Sequence, residues 1–296
     1  MKIVNLAGGL GNQMFQYAFA LSLKEKFKDE DIKIDISTFS GLKIVRQYEL
    51  ANVFDVRLPI ADEKDLRKVT FYFRNYRLRL LVKRIVGRKK TVFKEPRLFT
   101  YWGKQVDAIK GDCYFEGSWQ NEAYFKECAS LIRDAFIFKN ELDVKNKRLL
   151  EEIRACDSVS IHVRRGDYLS IPYYQNICDE PYYTNAIDYI KKHIRAPHFF
   201  IFSTDIEWCN ENIVPLINST AYTLVDWNVG NESYKDMQLM SHCKHNIIAH
   251  SSFSWWAAWL NKNNGKIVIA PKEWFRREDI TDKPQLDSWI LMANAI

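Results

Sequence analysis

Between residues 158 and 270 the sequence repeats one change of texture. Short apolar runs near 158–164, 199–203, 222–225, 246–249 and 267–270 alternate with helically spaced stretches near 182–194, 206–213, 232–243 and 252–262. Few architectures accept that rhythm. A strand followed by a helix and another strand pairs parallel, because the crossover returns the chain to the same end of the sheet. Strands alternating with helices therefore predict an α/β fold, a parallel sheet with helices on both faces.

The first of these runs ends in the segment on which the functional reading turns, His162-Val163-Arg164-Arg165-Gly166-Asp167-Tyr168. Val159, Ile161 and Val163 alternate with polar residues, a period of two that predicts a half-buried strand. Two arginines where a strand stops are either solvated or hold an anion, and guanidinium forks suit phosphate oxygens.

Other polar residues gather at the carboxyl ends of the predicted strands. Phe199-Phe200-Ile201-Phe202 runs into Ser203-Thr204-Asp205, and Asn246-Ile247-Ile248-Ala249 into His250-Ser251-Ser252-Phe253-Ser254-Trp255-Trp256. In open α/β sheets ligands sit outside these ends. Ser251, Ser252 and Ser254 at a helix start serve as a cap or an anion site, and a cap needs only one of them. Asp205 is suited to accept two N–H donors of a base such as guanine, or to cap the helix that follows it. Together the pieces outline a pocket for a nucleoside diphosphate.

The N-terminal half is less regular. Lys2–Ala7 reads as a strand, Gly8-Gly9-Leu10-Gly11-Asn12-Gln13 as a glycine turn, and Met14–Phe27 as a helix. Strand, glycine turn and helix aim backbone N–H groups at a phosphate. Yet the third glycine of a dinucleotide fingerprint and the Gly-Lys-Ser/Thr of a nucleoside-triphosphatase loop are both missing. Asn12 and Gln13 place two amides at this helix start. Ile32–Ile36 reads as a second strand. Residues 92–138 are rich in aromatics, with Gly117-Ser118-Trp119-Gln120-Asn121 among them, a composition suited to sugar rings, though each single aromatic is first of all a core residue. Asp143–Cys156 reads as a helix and an interdomain connection, so two domains are expected, 1–150 and 151–296.

Composition narrows the function classes. Six scattered cysteines without a C-x-x-C pair imply reduced thiols, not a disulfide frame or a zinc site. No apolar run approaches the length of about 18 residues that spans a bilayer, and no signal peptide is evident, so a cytoplasmic protein is expected. Residues 1–150 carry 29 Lys+Arg against 19 Asp+Glu, a net +10, while residues 151–296 carry 14 against 18, a net −4. The excess lies between Arg67 and Lys90, where ten basic residues interleave with leucine, isoleucine and valine and no acid intervenes. This predicts an amphipathic helix packed on its own domain, or one lying on the anionic inner face of a membrane. No nucleic-acid motif accompanies the charge, so no nucleic acid is expected as partner. Asp29-Glu30-Asp31 imitates a metal-binding D-x-D but precedes a strand instead of following one, and reads as a solvated linker. No metal site is expected.

The same residues carry a family resemblance. Gly8–Tyr17, His162–Tyr168, Phe202–Asp205, Ser251–Leu260 and Ala270–Trp274 resemble, in order, the motifs of the α-1,2-fucosyltransferases, above all their bacterial, cytoplasmic branch. The resemblance covers nearly the whole chain. It implies a two-domain glycosyltransferase-B-type fold with a Rossmann-like sheet in the C-terminal domain. It further implies acceptor determinants mainly N-terminal, GDP-fucose held mainly by the C-terminal domain, and inverting, metal-free transfer to the 2-hydroxyl of a terminal β-galactoside. Related fucosyltransferases with the His-x-Arg-Arg-x-Asp element imply Arg164 on the diphosphate, Arg165 in support, and His162 and Asp205 at the guanine or its ribose. They also imply Ser254 with Ser251, Ser252 and Phe253 near phosphate, and Asn12 with Gly9 and Gly11 at the fucose and β-phosphate. GDP-fucose is then the donor substrate, and no cofactor is expected.

The expected chemistry suits these residues. Breaking a sugar–phosphate bond builds negative charge on the departing nucleotide, which positioned arginines and backbone N–H groups stabilise. The base for the acceptor hydroxyl is open among Asp167, Glu116, Asp107 and the phosphate itself. A fucosyltransferase of another linkage, and a non-catalytic GDP-sugar or glycan-binding protein, share the same pocket; product analysis and turnover separate them.

Overall fold

The computed structural model describes residues 1–40, 47–73, 76–218 and 220–294, without the side chains of 76, 77, 79, 80, 83 and 167. The chain divides into two compact units, Met1–Lys139 and Asn140–Ile296. Both are α/β with wholly parallel sheets, as the glycosyltransferase-B-type expectation requires.

In the first unit β1 (Lys2–Asn5), β2 (Ile32–Asp35), β3 (Val92–Lys94) and β4 (Cys113–Glu116) lie in the order β2-β1-β4-β3, all parallel. The helix after β1 runs Leu10–Lys26, starting four residues before the expected Met14. Nearly every residue from Leu10 to Leu21 is buried, so this helix is enclosed all round instead of being amphipathic. Phe19 stacks on Trp119 with centroids 4.2 Å apart, and Phe115 meets both rings. The aromatic section is thus mainly core, and it conceals β3 and β4, only three and four residues long.

The second unit holds β5 (Asp157–Val163), β6 (Pro197–Ser203), β7 (Tyr222–Val225), β8 (His245–Ile247), β9 (Val268–Pro271) and β10 (Ile290–Met292) in the order β10-β9-β8-β5-β6-β7. Counted from β7, the strands run third, second, first, fourth, fifth, sixth, the order of a doubly wound Rossmann-like sheet. The chain leaves β5 toward β6 and leaves β8 toward β9, so the winding reverses between β5 and β8. The helix Val144–Ala155 belongs to this unit, packing beside β5, where the sequence had suggested an interdomain connection and a division at 150.

One expectation needs correcting. β5 is buried on both faces, not half-buried, because β6 and β8 flank it and helices cover it. Its two serines face the interior and are satisfied there. Ser158 Oγ accepts from Lys244 N at 3.0 Å, and Ser160 Oγ from Asn246 Nδ2 at 2.8 Å. Asn246 Nδ2 also donates to Met240 O at 2.8 Å, while its Oδ1 accepts from Asn261 Nδ2 at 2.7 Å.

The basic segment is also less isolated than it reads. It forms helices Glu63–Val69 and Tyr76–Ile85, and acids reach it from elsewhere: Lys68 pairs with Asp112 at 2.8 Å and Arg88 with Glu116 at 3.2 Å. Arg67 pairs with Glu63, and Lys89 Nζ donates to the Arg67 carbonyl. Arg74 lies outside the described residues, as do the side chains of Arg77, Arg79 and Lys83. Among the described residues no helix is long and apolar enough to cross a membrane.

The buried amide yields a stability prediction. Asn246→Ala orphans partners on three elements and is expected to cost about 2–4 kcal/mol, against about 1 kcal/mol for Ser160→Ala. Urea unfolding compares the two, and equal costs would show that Asn246 does not organise the network.

Candidate active site

Where the second sheet reverses its winding, the carboxyl ends of β5 and β8 lie side by side. From β5 come His162, Arg164 and Arg165; from beyond β8 come His250 and Ser251–Ser254. Two adjacent tyrosines fix these ends. Both lie in the first turn of helix Glu180–His193, fully buried. Tyr183 donates to the His162 carbonyl at 3.0 Å, and the Tyr182 hydroxyl sits 2.6 Å from Ile248 O and 3.2 Å from Ile269 O. Burial pushes both phenols well above their usual range, so both remain donors.

Each candidate can now be placed. His162 is buried, its ring 5.7 Å from that of Phe253, and its Nδ1 makes no hydrogen bond. Burial, then the charges of Arg164 and His250, pushes its pKa down to about 3, so the imidazole is neutral at pH 7. The Arg164 guanidinium lies 5.0 Å from the Tyr168 ring. Arg165 donates from Nε to Asp205 Oδ2 at 3.0 Å and stacks 4.3 Å over Trp208. Asp205 also caps helix Ile206–Asn212, its Oδ1 accepting from Trp208 N at 3.2 Å. Its carboxylate thus joins the arginine pair to the next helix. The backbone of Asp167 is in a 3-10 turn, Gly166–Ser170; its side chain lies outside the described residues.

The serines divide by role. Ser251 caps helix Ser252–Leu260, its Oγ accepting from Phe253 N at 3.3 Å. Ser254 is fully buried, its hydroxyl turned to the carbonyls of Ala249 and Ser251 at 3.4 Å each. Ser252 and Phe253 are the part-exposed members. A cavity of about 190 Å³ opens beside Arg164, Arg165, Tyr168, Tyr174, Cys178 and His250. His250 lies 3.2 Å from Cys178 Sγ, and burial holds its pKa at about 3.

The first unit presents a cluster of its own at the neighbouring ends of β1 and β4. Gly8 has φ +82°, and a Cβ there would lie 2.5 Å from Asn12 Nδ2, so glycine is required at this position. At Gly9, the N-cap residue, a Cβ would meet open space; Gly11 is buried in the helix. Asn12 is part-exposed, its Oδ1 accepting from Gln120 Nε2 at 2.8 Å. Gln13, expected beside it as a second presented amide, is instead fully buried. It bonds Gly8 O and Gln47 O and accepts from Glu49 N and Leu50 N. Glu30 of the D-x-D look-alike is not free in solvent: it pairs with Lys2 at 2.8 Å, and Asp31 pairs with Lys33. Of the base candidates, Glu116 carries Arg88 and Asp107 carries Lys26. Among the described residues no group of three His, Cys, Asp or Glu could hold a metal ion.

The model of glycosyl transferase family 11 matches residues 1–293. The chain belongs to that family. Its relatives include an Escherichia coli alpha-1,2-colitosyltransferase, 34% identical over 97% of this chain and 97% of the relative. The E. coli O-antigen biosynthesis glycosyltransferase WbnK is 33% identical over 96% and 98%. The Galactoside alpha-(1,2)-fucosyltransferase 1 of Saimiri boliviensis boliviensis is 27% identical over 86% of this chain and 63% of that protein. This family 11 chain is therefore an enzyme, a glycosyltransferase that takes a nucleotide-sugar donor and a glycan acceptor.

Several supporting residues of the two clusters escape sequence reading. Tyr182 and Tyr183 sit in an ordinary amphipathic pattern, Trp208 in a capped helix start, and Glu95 in a loop. Glu95 is buried, its Oε2 accepting from Ser118 N at 2.7 Å and Trp119 N at 3.3 Å. Burial pushes its carboxyl up to about 7 against these two bonds. A Glu-x₂₂-Ser spacing carries no recognisable signal.

His162 gives a pH prediction. Its folded pKa lies below the unfolded value near 6.5, so on acidification the unfolded chain takes up the proton first. The penalty is absent above about pH 6.5 and grows as pH falls toward 3. The stability lost between pH 7 and pH 5 should therefore be smaller in His162→Asn than in the unaltered protein, by urea unfolding without nucleotide. An unchanged loss would place the imidazole in water.

Proposed function

We propose that this enzyme transfers L-fucose from GDP-β-L-fucose to the 2-hydroxyl of a terminal β-galactoside, in α-1,2 linkage, with inversion and without a metal ion. The observation that carries this reading is the convergence of His162, Arg164 and Arg165 with Ser251–Phe253 where β5 adjoins β8. The names of the relatives add the 1,2 linkage.

In the proposed step the acceptor O2 attacks the anomeric carbon opposite the nucleotide. The new C1–O2 bond forms as the C1–O(phosphate) bond breaks, and its electron pair leaves with GDP. Arg164 meets the charge growing on the β-phosphate, and the N–H groups at the start of helix Ser252–Leu260, with Ser252, add donors. Arg165, held by Asp205 and Trp208, fixes the loop from which Arg164 projects. The neutral His162 offers a ring nitrogen to the nucleoside, and Asp205 keeps acceptor capacity beyond its two bonds. The hydroxyl proton has Asp167 and the departing phosphate as its two candidate acceptors.

A second donor is favoured by one observation, the colitosyl relative at 34% identity. Colitose is fucose without its 3-hydroxyl. A site that hydrogen-bonds that hydroxyl rejects the deoxy sugar strongly, whereas an apolar wall does not.

We further propose that helix Tyr76–Ile85 rests on an anionic lipid surface, at the inner face of the cytoplasmic membrane. Supporting this are the exposed Leu81, Ile85 and Val86, the exposed Arg84 and Lys90, and the basic sequence around them.

The test is GDP release with GDP-fucose and GDP-colitose across a panel of galactosides, with linkage read by NMR. Arg164→Ala should lower kcat/KM by about 10²–10³; Asp167→Asn should lower kcat by about 10² or more where its carboxylate is the base and leave kcat unchanged where the phosphate takes the proton; EDTA should change nothing. Retained activity in Arg164→Ala, or strict Mn²⁺ dependence, would overturn the mechanism; preference for GDP-colitose would replace the donor. Sedimentation with anionic but not zwitterionic vesicles, lost in Leu81→Asp/Ile85→Asp, is the expected lipid result.

A further inference from the structure

The turn Gly117–Asn121, at the carboxyl end of β4, is unusually well fastened for an exposed-loop composition. Its far side is held by Glu95, whose Oε2 accepts from the N–H groups of Ser118 and Trp119. Gly117 packs against that carboxylate, since a Cβ there would lie 2.6 Å from Glu95 Cβ and 2.9 Å from Oε2. Its near side is held by Gln16, which donates to Gly117 O at 3.1 Å while accepting from Ala7 N at 2.8 Å. Trp119 takes a left-handed φ of +55°, costly for a bulky residue, and its fully buried ring holds it there. The turn delivers one side chain to the glycine turn beside it: Gln120 donates to Asn12 Oδ1 at 2.8 Å.

An asparagine amide is nearly symmetric in shape and opposite in polarity at its two ends. Which end faces a ligand is decided by what the other end bonds. We propose that Gln120 is a positioning residue for the transfer: by donating to the Asn12 oxygen it directs the Asn12 NH₂ toward the donor's fucosyl phosphate, and Glu95 holds the turn that aims it. This rests on the reading of Asn12 as a donor-contacting residue. No atom of Gln120 or Glu95 touches the reacting centre; both act through Asn12.

The test is a double-mutant cycle in the intact chain, with kcat, donor KM and GDP affinity measured separately. Asn12→Ala sets the baseline and should lower kcat by about 10-fold or more. Gln120→Glu supplies an acceptor in place of a donor and turns the Asn12 amide round, so kcat should fall at least as far. Gln120→Met merely deletes the bond and should cost less. In the Asn12→Ala background Gln120→Glu should then cost almost nothing further, the signature of action through one group. GDP affinity should fall no further in Gln120→Glu than in Asn12→Ala. Glu95→Ala should lower kcat, and Glu95→Gln, which keeps an acceptor oxygen for Ser118 and Trp119, should restore most of it.

If Asn12→Ala leaves kcat unaltered, Asn12 does not act on the donor, and the inference falls with that reading. If Asn12→Ala is impaired but Gln120→Glu costs as much with Asn12 absent as present, Asn12 keeps its role and Gln120 loses its own.

Discussion

The side-by-side pairing of β5 and β8 is the constraint on which the second unit depends. Two strands far apart in sequence end at one place, and each is followed by a turn instead of a continuing strand. Because the chain leaves them in opposite directions, their loops are not covered by a common helix, and the space beyond them is left for a ligand. The pairing is secured from within by Asn246, which reaches from β8 to Ser160 on β5. Tyr182 and Tyr183 secure it again from one helix, through carbonyls within β5 and β9 and just past β8. Loops at a reaction centre gain accuracy from such rigid supports.

Buried polar groups recur as fasteners in both units. Gln13 closes the glycine turn against residues 47–50, and Gln16 ties it to Gly117. In the second unit Asn146 and Asn228 exchange hydrogen bonds, and Asp236 and Asp143 join them, the latter paired with Lys235. Burial raises the Asp236 carboxyl to about 7 although Asn228 donates to it. The net gain from each such bond is modest, whereas leaving one partner unmade is expensive, so these networks define position more than they add stability.

The second unit was largely legible in its sequence, because its strands are framed by helices with caps such as Asp205 and Ser251. What failed there was exposure. Alternation along β5 predicted one solvated face, but Ser158, Ser160 and His162 are internal, the two serines bonded by neighbours that no periodicity reveals. Ser254, expected near phosphate, is core. The first unit was less legible, since β3 and β4 are too short to register among aromatics that serve the core. The basic helices looked uncompensated only because Asp112 and Glu116 arrive from distant sequence. In the glycine turn the strict requirement falls on Gly8, while Gly9 and Gly11 drew the attention of the motif.

The paired arginines, finally, are neighbours in sequence and strangers in kind. Arg165 lies flat on Trp208 while its edge meets the Asp205 carboxylate. Only a planar cation does both at once; a lysine there would keep the charge and forfeit the stacking. For sequence variation, the second arginine is thus answerable to the tryptophan and aspartate that frame it, and the three should drift, if at all, as one unit of inheritance.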